Sequence, residues 1–382
     1  MVDLGHVALG AWSGGRFLHY GRTLEDDEFT TLMRPDERLS TVITADVYGA
    51  GQGDSDVGRA IAASDLPRER VRLVGAIGHD FYTGERQGAK GFPRFTDPTL
   101  RGPDGYADYL RMAAERSLER CGADRFDLLL LHNPDLVGYT SEAVWDGMVA
   151  LRDQGLTRGI GIAPGPANGF VLDLLSCLDR FGEAIDWAML ILGPMEPWPA
   201  GLVLRACEHH GVRVLTRVTD YGGIFWGDLH PDTPLPEQDH RRYRPDGWIE
   251  RGRSVVDQVE RIGRPHRLTP MQVAVQWTLS QPAVACVAPT IIAEMPGGAV
   301  PVRTVEEKRA ELAAVPAHVR LTPTELERIT ALGDNSGSMA LKGASPVYDG
   351  EVRADQWPLG AEHTAVARRW GIDPHQELVK TR

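Results

Sequence analysis

The chain has 382 residues, 42% of them hydrophobic and 25% charged, an ordinary globular usage that excludes disordered, collagen-like and coiled-coil classes. Such a length suits one large barrel with additions, or two modest domains. Acidic side chains outnumber basic ones by 53 to 41, for a formal charge of −12, so nucleic acid and anionic membrane are repelled and a phosphate-bearing ligand needs a local basic site.

From the N-terminus, residues 1–12 carry no basic segment ahead of their apolar ones, and no apolar run of roughly 18 residues follows anywhere. The expectation is a cytoplasmic protein with no membrane partner. Short apolar runs at 7–12, 41–45, 71–77, 126–131, 157–162, 187–192, 212–216 and 284–288 read as strands, each followed by a segment with helical spacing. Strands alternating with helices in this number predict a closed (β/α)₈ TIM barrel over residues 1–335. Among the helices, Tyr106, Tyr109, Leu110, Ala113, Leu118 and Cys121 form one apolar stripe, with Arg111, Glu115 and Arg120 off it. Gly155 and Gly211 fall between a helical pattern and a strand, as expected of a left-handed residue closing a helix. Thr269-Pro270-Met271-Gln272 and Thr322-Pro323-Thr324-Glu325 read as capping boxes with proline at the first helical position. Cys121, Cys177, Cys207 and Cys286 form no C-x-x-C pair and read as core thiols, so no metal is expected.

Residues 78–102, 220–248 and 291–303 break the barrel pattern, and each stretch follows a strand. They belong to βα loops at the C-terminal face, where barrels build their sites. Residues 336–382, with Tyr348, Trp357 and His363, form a C-terminal extension that either folds over the barrel mouth or is a disordered tail.

Strand two runs into Thr44-Ala45-Asp46-Val47-Tyr48-Gly49, then Gly51-x-Gly53-Asp54-Ser55, and strand four ends in Leu131-His132-Asn133-Pro134-Asp135. With Gly155-Leu156-Thr157-Arg158-Gly159-Ile160-Gly161 and Gly211-Val212-Arg213-Val214-Leu215, in this order, the chain resembles the aldo-keto reductase superfamily. The resemblance implies a (β/α)₈ barrel that binds NADP(H) across its C-terminal face, acts on the carbonyl of a small molecule and uses an Asp, Tyr, Lys, His tetrad. It assigns the tyrosine to Tyr48 and the histidine to His132. Ile43 stands where the aspartate belongs and Ala76 where the lysine belongs, so the tetrad is degenerate. The Ser-Asn pair that holds the nicotinamide carboxamide is Ala163-Pro164, and the assisting glutamine is Met189.

The loops offer substitutes. His79, Asp80 and Lys90 follow the same strand as Ala76 and are candidates for the missing catalytic groups. Arg217, Asp220 and Tyr221 after strand seven are candidates for holding the cofactor along its channel, and Arg303, Lys308 and Arg309 near a helix start after strand eight are candidates for its phosphates. Trp12 and Trp226 are candidate pocket walls.

A free tyrosine has a pKa of about 10, and a buried ammonium ~4 Å away would lower it by about three units. Without that lysine Tyr48 is a proton donor, with His132 beside it as a second donor or as a base titrating near about pH 6.5. Three readings stay open: an NADP(H)-dependent reductase of a small polar, sugar-like carbonyl or polyol; a non-redox acid–base enzyme (dehydratase, epimerase or lyase) on the same barrel; and a non-catalytic ligand-binding barrel.

Overall fold

The computed structural model describes residues 2–88, 91–165, 169–298 and 300–379. The first half of the barrel runs Leu9–Gly10 (β1), Asp26–Met33 (α1), Thr41–Ile43 (β2), Gln52–Ala62 (α2), Arg72–Ile77 (β3), Tyr106–Cys121 (α3) and Phe126–His132 (β4). Leu136–Thr140 (α4) and Glu142–Asp153 (α5) lead to Thr157–Ala163 (β5), Val171–Phe181 (α6), Trp187–Ile191 (β6), Gly201–His209 (α7) and Arg213–Arg217 (β7). Trp248–Gly263 (α8), Pro270–Leu279 (α9), Val284–Ala288 (β8), Val305–Ala313 (α10) and Pro323–Thr330 (α11) complete it. The eight strands pair in chain order, all in parallel. Closure is made by Ala8 N donating to Val287 O at 3.0 Å and Val287 N donating to His6 O at 3.0 Å. This is the expected (β/α)₈ barrel.

Local rules account for the element ends. Thr269 and Thr322 cap α9 and α11 with reciprocal bonds to Gln272 and Glu325, and Gly155 and Gly211 adopt φ of 79° and 68°. The stripe on α3 is buried while Arg111 and Glu115 face water. All four cysteines are buried and free.

Strand alternation divides two apolar layers. Leu73 and Ile77 of β3 face the helices, whereas Val74 and Ala76 point into the barrel with Ile43, Leu128, Leu130, Trp187, Leu215 and Cys286. Strand β1 is shorter than expected because Trp12 folds back across it. A Cβ at Gly10 would lie 2.3 Å from the Trp12 ring, so only glycine admits this packing. The indole thereby caps the barrel interior from above.

The C-terminal extension is folded and lies on the barrel's flank. Asn335 pins its start, donating to Trp198 O and accepting from Trp198 N. Gly343–Ser345 (β9) and Gln356–Pro358 (β10) pair in parallel, and Ala361–Trp370 (α12) lies on α6, followed by Pro374–Glu377 (α13). The buried Asp173 of α6 organises this contact: Oδ1 accepts from Trp357 Nε1 and lies 2.8 Å from His363 Nε2, and Oδ2 accepts from Ala344 N. Among the described residues no helix is long and apolar enough to cross a membrane. Asp173→Ala would leave the Trp357 indole and the Ala344 amide buried without acceptors, so it should cost roughly 2–4 kcal/mol. Limited proteolysis should then cut after residue 342 in the variant and not in the wild type.

Candidate active site

A cavity of about 290 Å³ opens at the C-terminal ends of the strands, floored by Trp12 and Met189 and walled by Phe17, Tyr48, His132 and Arg217. Each strand end delivers its group by a local device. After β2 the backbone continues the ladder through Thr44 N to Val74 O and Asp46 N to Ala76 O, then turns through Gly49, Ala50 and Gly51 at φ of 58°, 52° and 97°. That turn sets the Tyr48 ring against Phe17, stacked with centroids 5.9 Å apart. His132 is the last residue of β4, paired with Ala163 of β5. Its ring stands perpendicular to Tyr48 at 6.0 Å and 5.3 Å from His79. Asn133 and Val218, both lining the cavity, hold φ of 45° and 63°. For a β-branched valine this backbone is strained, on the order of 1–3 kcal/mol, and such strain clusters at functional sites.

The surroundings set the charge states. Tyr48 has Ile43 and Ala76 beneath it rather than a carboxylate and an ammonium. Burial pushes its hydroxyl up to about 12, against a smaller pull from Arg217, so it stays a proton donor. Burial, helped by the Arg94 and Arg217 guanidiniums, brings His132 down to about 3. The expected titration near neutrality therefore does not apply to the free protein, in which the imidazole is neutral. His132 Nδ1 is buried without a partner among the described residues. Buried orphan N–H groups are rarer than orphan acceptors, which favours the tautomer with its proton on Nε2. His79 is also held well below its ordinary value, by burial and then Arg94. His79 Nδ1 faces both a donor, Arg94 Nη1 at 3.0 Å, and an acceptor, Phe92 O at 3.2 Å.

Of the other residues singled out in the sequence, Trp12, His79 and Arg217 reach the cavity, and Lys90 lies outside the described residues. Asp80 does not reach it. Its carboxylate is buried under the loop, accepting from Tyr82 N, Thr83 N and Thr83 Oγ1 and pairing with Arg101. Asp220 is buried too, its oxygens taken by Thr290 N at 2.7 Å and Gly223 N at 3.0 Å. Tyr221 lies under Arg244, 4.4 Å from the guanidinium. Trp226 is a loop clamp rather than a pocket wall, donating from Nε1 to Thr290 O. The basic cluster is occupied as well. Lys308 is buried on Asp228 at 2.7 Å, Arg303 pairs with Glu311 at 2.6 Å, and Arg309 pairs with Asp36 at 2.8 Å. Tyr20, Arg86 and Asn133 line the cavity without having been picked out. Only Asn133, next to His132 in the strand-four motif, had a signal in the sequence.

These placements do not fit NADP(H) held in the manner the resemblance implies. Arg303, Lys308 and Arg309 are spent on carboxylates, and α10 opens with Glu306 and Glu307, which repel an anion at that helix start. Arg241, fully buried between Asp239 and Glu294, bonds the loop after β7 to the loop after β8. At the carboxamide position Arg217 Nη2 donates to Gly165 O at 3.0 Å, alongside Pro164. Among the described residues no group of three His, Cys, Asp or Glu is placed to hold a metal.

The profile of the Aldo/keto reductase family matches residues 39–334. Among curated proteins, the chain is similar to Probable aldo-keto reductase 1 of Glycine max, 23% identical over 62% of this chain and 63% of that protein. It is also similar to the 6-dehydroglucose reductase of Novosphingobium aromaticivorans, 29% identical over 50% of this chain and 59% of that protein. The chain thus spans about three-fifths of the length of these relatives. Among solved structures, the glycerol dehydrogenase from Gluconobacter oxydans superposes with a TM-score of 0.64 at 21% identity, covering 90% of this chain and 95% of that one. An aldo/keto reductase from Klebsiella pneumoniae, in complex with NADP and acetate, superposes at 0.54 with 18% identity, covering 86% and 90%.

His132 has a consequence for stability. Its folded pKa lies below that of the unfolded chain, so the unfolded state binds the extra proton between about pH 6.5 and 3 and stability falls as pH falls through that window. Denaturant unfolding at pH 7, 6 and 5 should show this loss, up to about 1.4 kcal/mol per pH unit from this group. His132→Gln should remove that share of the slope. An unchanged slope would show that the imidazole is charged in the folded protein.

Proposed function

The chain belongs to the aldo/keto reductase family, and from that premise we propose that it is an enzyme acting on a small, polar, sugar-like carbonyl compound bound in the cavity. The perpendicular pair of Tyr48 and His132 at the end of an apolar barrel carries this reading. Tyr48, with its pKa near 12, donates to the carbonyl oxygen and stabilises the negative charge that develops there. His132 is neutral, so it is available either to donate to the same oxygen or to accept a proton from the neighbouring carbon. A base with so low a pKa is weak, and its strength in the complex depends on what charge the substrate places near Arg94 and Arg217. Proton transfer within the substrate, as in an epimerase, dehydratase or lyase, is the chemistry these residues support.

Hydride transfer with NADP(H) is the second reading. It is favoured by the family and by relatives named as a 6-dehydroglucose reductase and a glycerol dehydrogenase, and opposed by the occupied phosphate ligands. Those same names support an oxygenated substrate. Calorimetric titration separates the two: no heat with NADPH or NADH at millimolar concentration is expected here, whereas binding accompanied by carbonyl reduction would establish the reductase.

Both readings share one variant. Tyr48→Phe keeps the ring and its packing on Phe17, and should lower turnover by about 10² to 10³, or roughly 3 to 4 kcal/mol in the barrier. Full activity of the variant on a verified substrate would overturn the assignment of Tyr48 as the proton donor.

A further inference from the structure

The cavity is cationic in an acidic protein. No Asp or Glu lines it among the described residues, while Arg217 and Arg86 do. Arg217, half-buried, also departs from the way this face treats its buried cations. Arg241, Arg244 and Lys308 each hold a carboxylate within 3.2 Å. Arg217 has no carboxylate partner among the described residues, and its bonds to Gly165 O and Pro164 O both come from Nη2. A guanidinium carries five N–H donors, and among the described residues none accepts from those on Nε and Nη1. Unpaired cations are costly to desolvate, and burial accordingly pulls this group's pKa down. A cation kept in such a place is one whose partner arrives with the ligand.

We propose that Arg217 is the seat of an anionic group on the substrate, a carboxylate, phosphate or sulfonate, with the reacting carbonyl on the same small molecule reaching Tyr48 and His132. This rests on the proposed function for its second half only. The guanidinium lies close enough to Tyr48 and His132 to act on both electrostatically, so an anion seated on it sits beside the reacting pair. Tyr20, on the same wall, is within reach of the same field. The seat also explains how a weak base is put to use. Arg94 and Arg217 are the two charges that oppose protonation of His132, and a bound anion offsets them, raising the imidazole's proton affinity only when substrate is present. A dinucleotide pyrophosphate is the less suitable occupant, because about 290 Å³ is near the lower edge of small-ligand pockets.

The test is a calorimetric titration of the full chain, at constant ionic strength, with inorganic phosphate, acetate, sulfate, glycerol and NADPH as separate probes. Phosphate, sulfate or acetate should bind, glycerol should not, and Arg217→Gln should weaken the anion by about 10- to 100-fold. Arg264→Gln, an exposed cation on the outer helices, controls for net charge and should change binding less than about twofold. Equal binding by wild type and Arg217→Gln, or no anion binding by the wild type, overturns the proposal. So does NADPH binding that depends on Arg217 while none of the three small anions binds, since the seat would then belong to a cofactor. Tyr48→Phe in the same titration keeps the two claims apart. Anion binding retained by this variant supports the seat even if its turnover on a true substrate proves normal, a result that would defeat only the catalytic reading.

Discussion

An eight-stranded barrel has to be filled, and here it is filled with hydrocarbon up to its mouth. Trp187, Leu128, Leu130, Ile43 and Ala76 occupy the interior, and Trp12 closes it from above through the space left at Gly10. The polar groups at the strand ends therefore rest on a dry floor. From that one condition come the protonated Tyr48 and the neutral His132, since burial is the first cause of both shifts. An ammonium at position 76 would instead have pulled the Tyr48 pKa down against that burial.

The same cost of desolvation shapes the loops. Wherever the loop after β7 buries a cation it also supplies or finds an anion: Arg241 with Asp239 and Glu294, Lys308 with Asp228, Arg244 with Glu196. Leaving one partner of such a pair alone costs several kcal/mol, so these groups are committed to joining the loops after β6, β7 and β8. What looks in sequence like a basic cluster awaiting phosphate is, in the fold, part of the clamp. Among the described residues Arg217 and Arg94 stand outside this pattern, bonded only to carbonyls and an imidazole. Together they give the cavity its positive field.

The extension after residue 335 follows the same logic on the barrel's flank. A buried carboxylate at Asp173 collects the indole of Trp357, the ring of His363 and the amide of Ala344. A charge in a helix otherwise packed into the core makes sense only with those partners present. The extension thus belongs to the folded body, and none of its described residues lines the cavity.

Much of this was readable from the chain alone, because the rules concerned are local. The period of the apolar residues located every strand to within a few positions, and Thr269, Thr322, Gly155 and Gly211 marked helix ends by chemistry acting over a few residues. Tyr48 and His132 were placed by motifs attached to strand ends, so a correct barrel brought them together. The roles of Asp80, Asp220, Trp226, Arg303, Lys308 and Arg309 were not readable. Each depends on a partner tens to hundreds of positions away or across a loop, such as Asp228 for Lys308 or Thr290 for Asp220 and Trp226. Composition shows that cations are present, but only tertiary packing decides which are neutralised by the protein and which are left for a ligand, because desolvation and ion pairing are set by distance in space rather than along the chain.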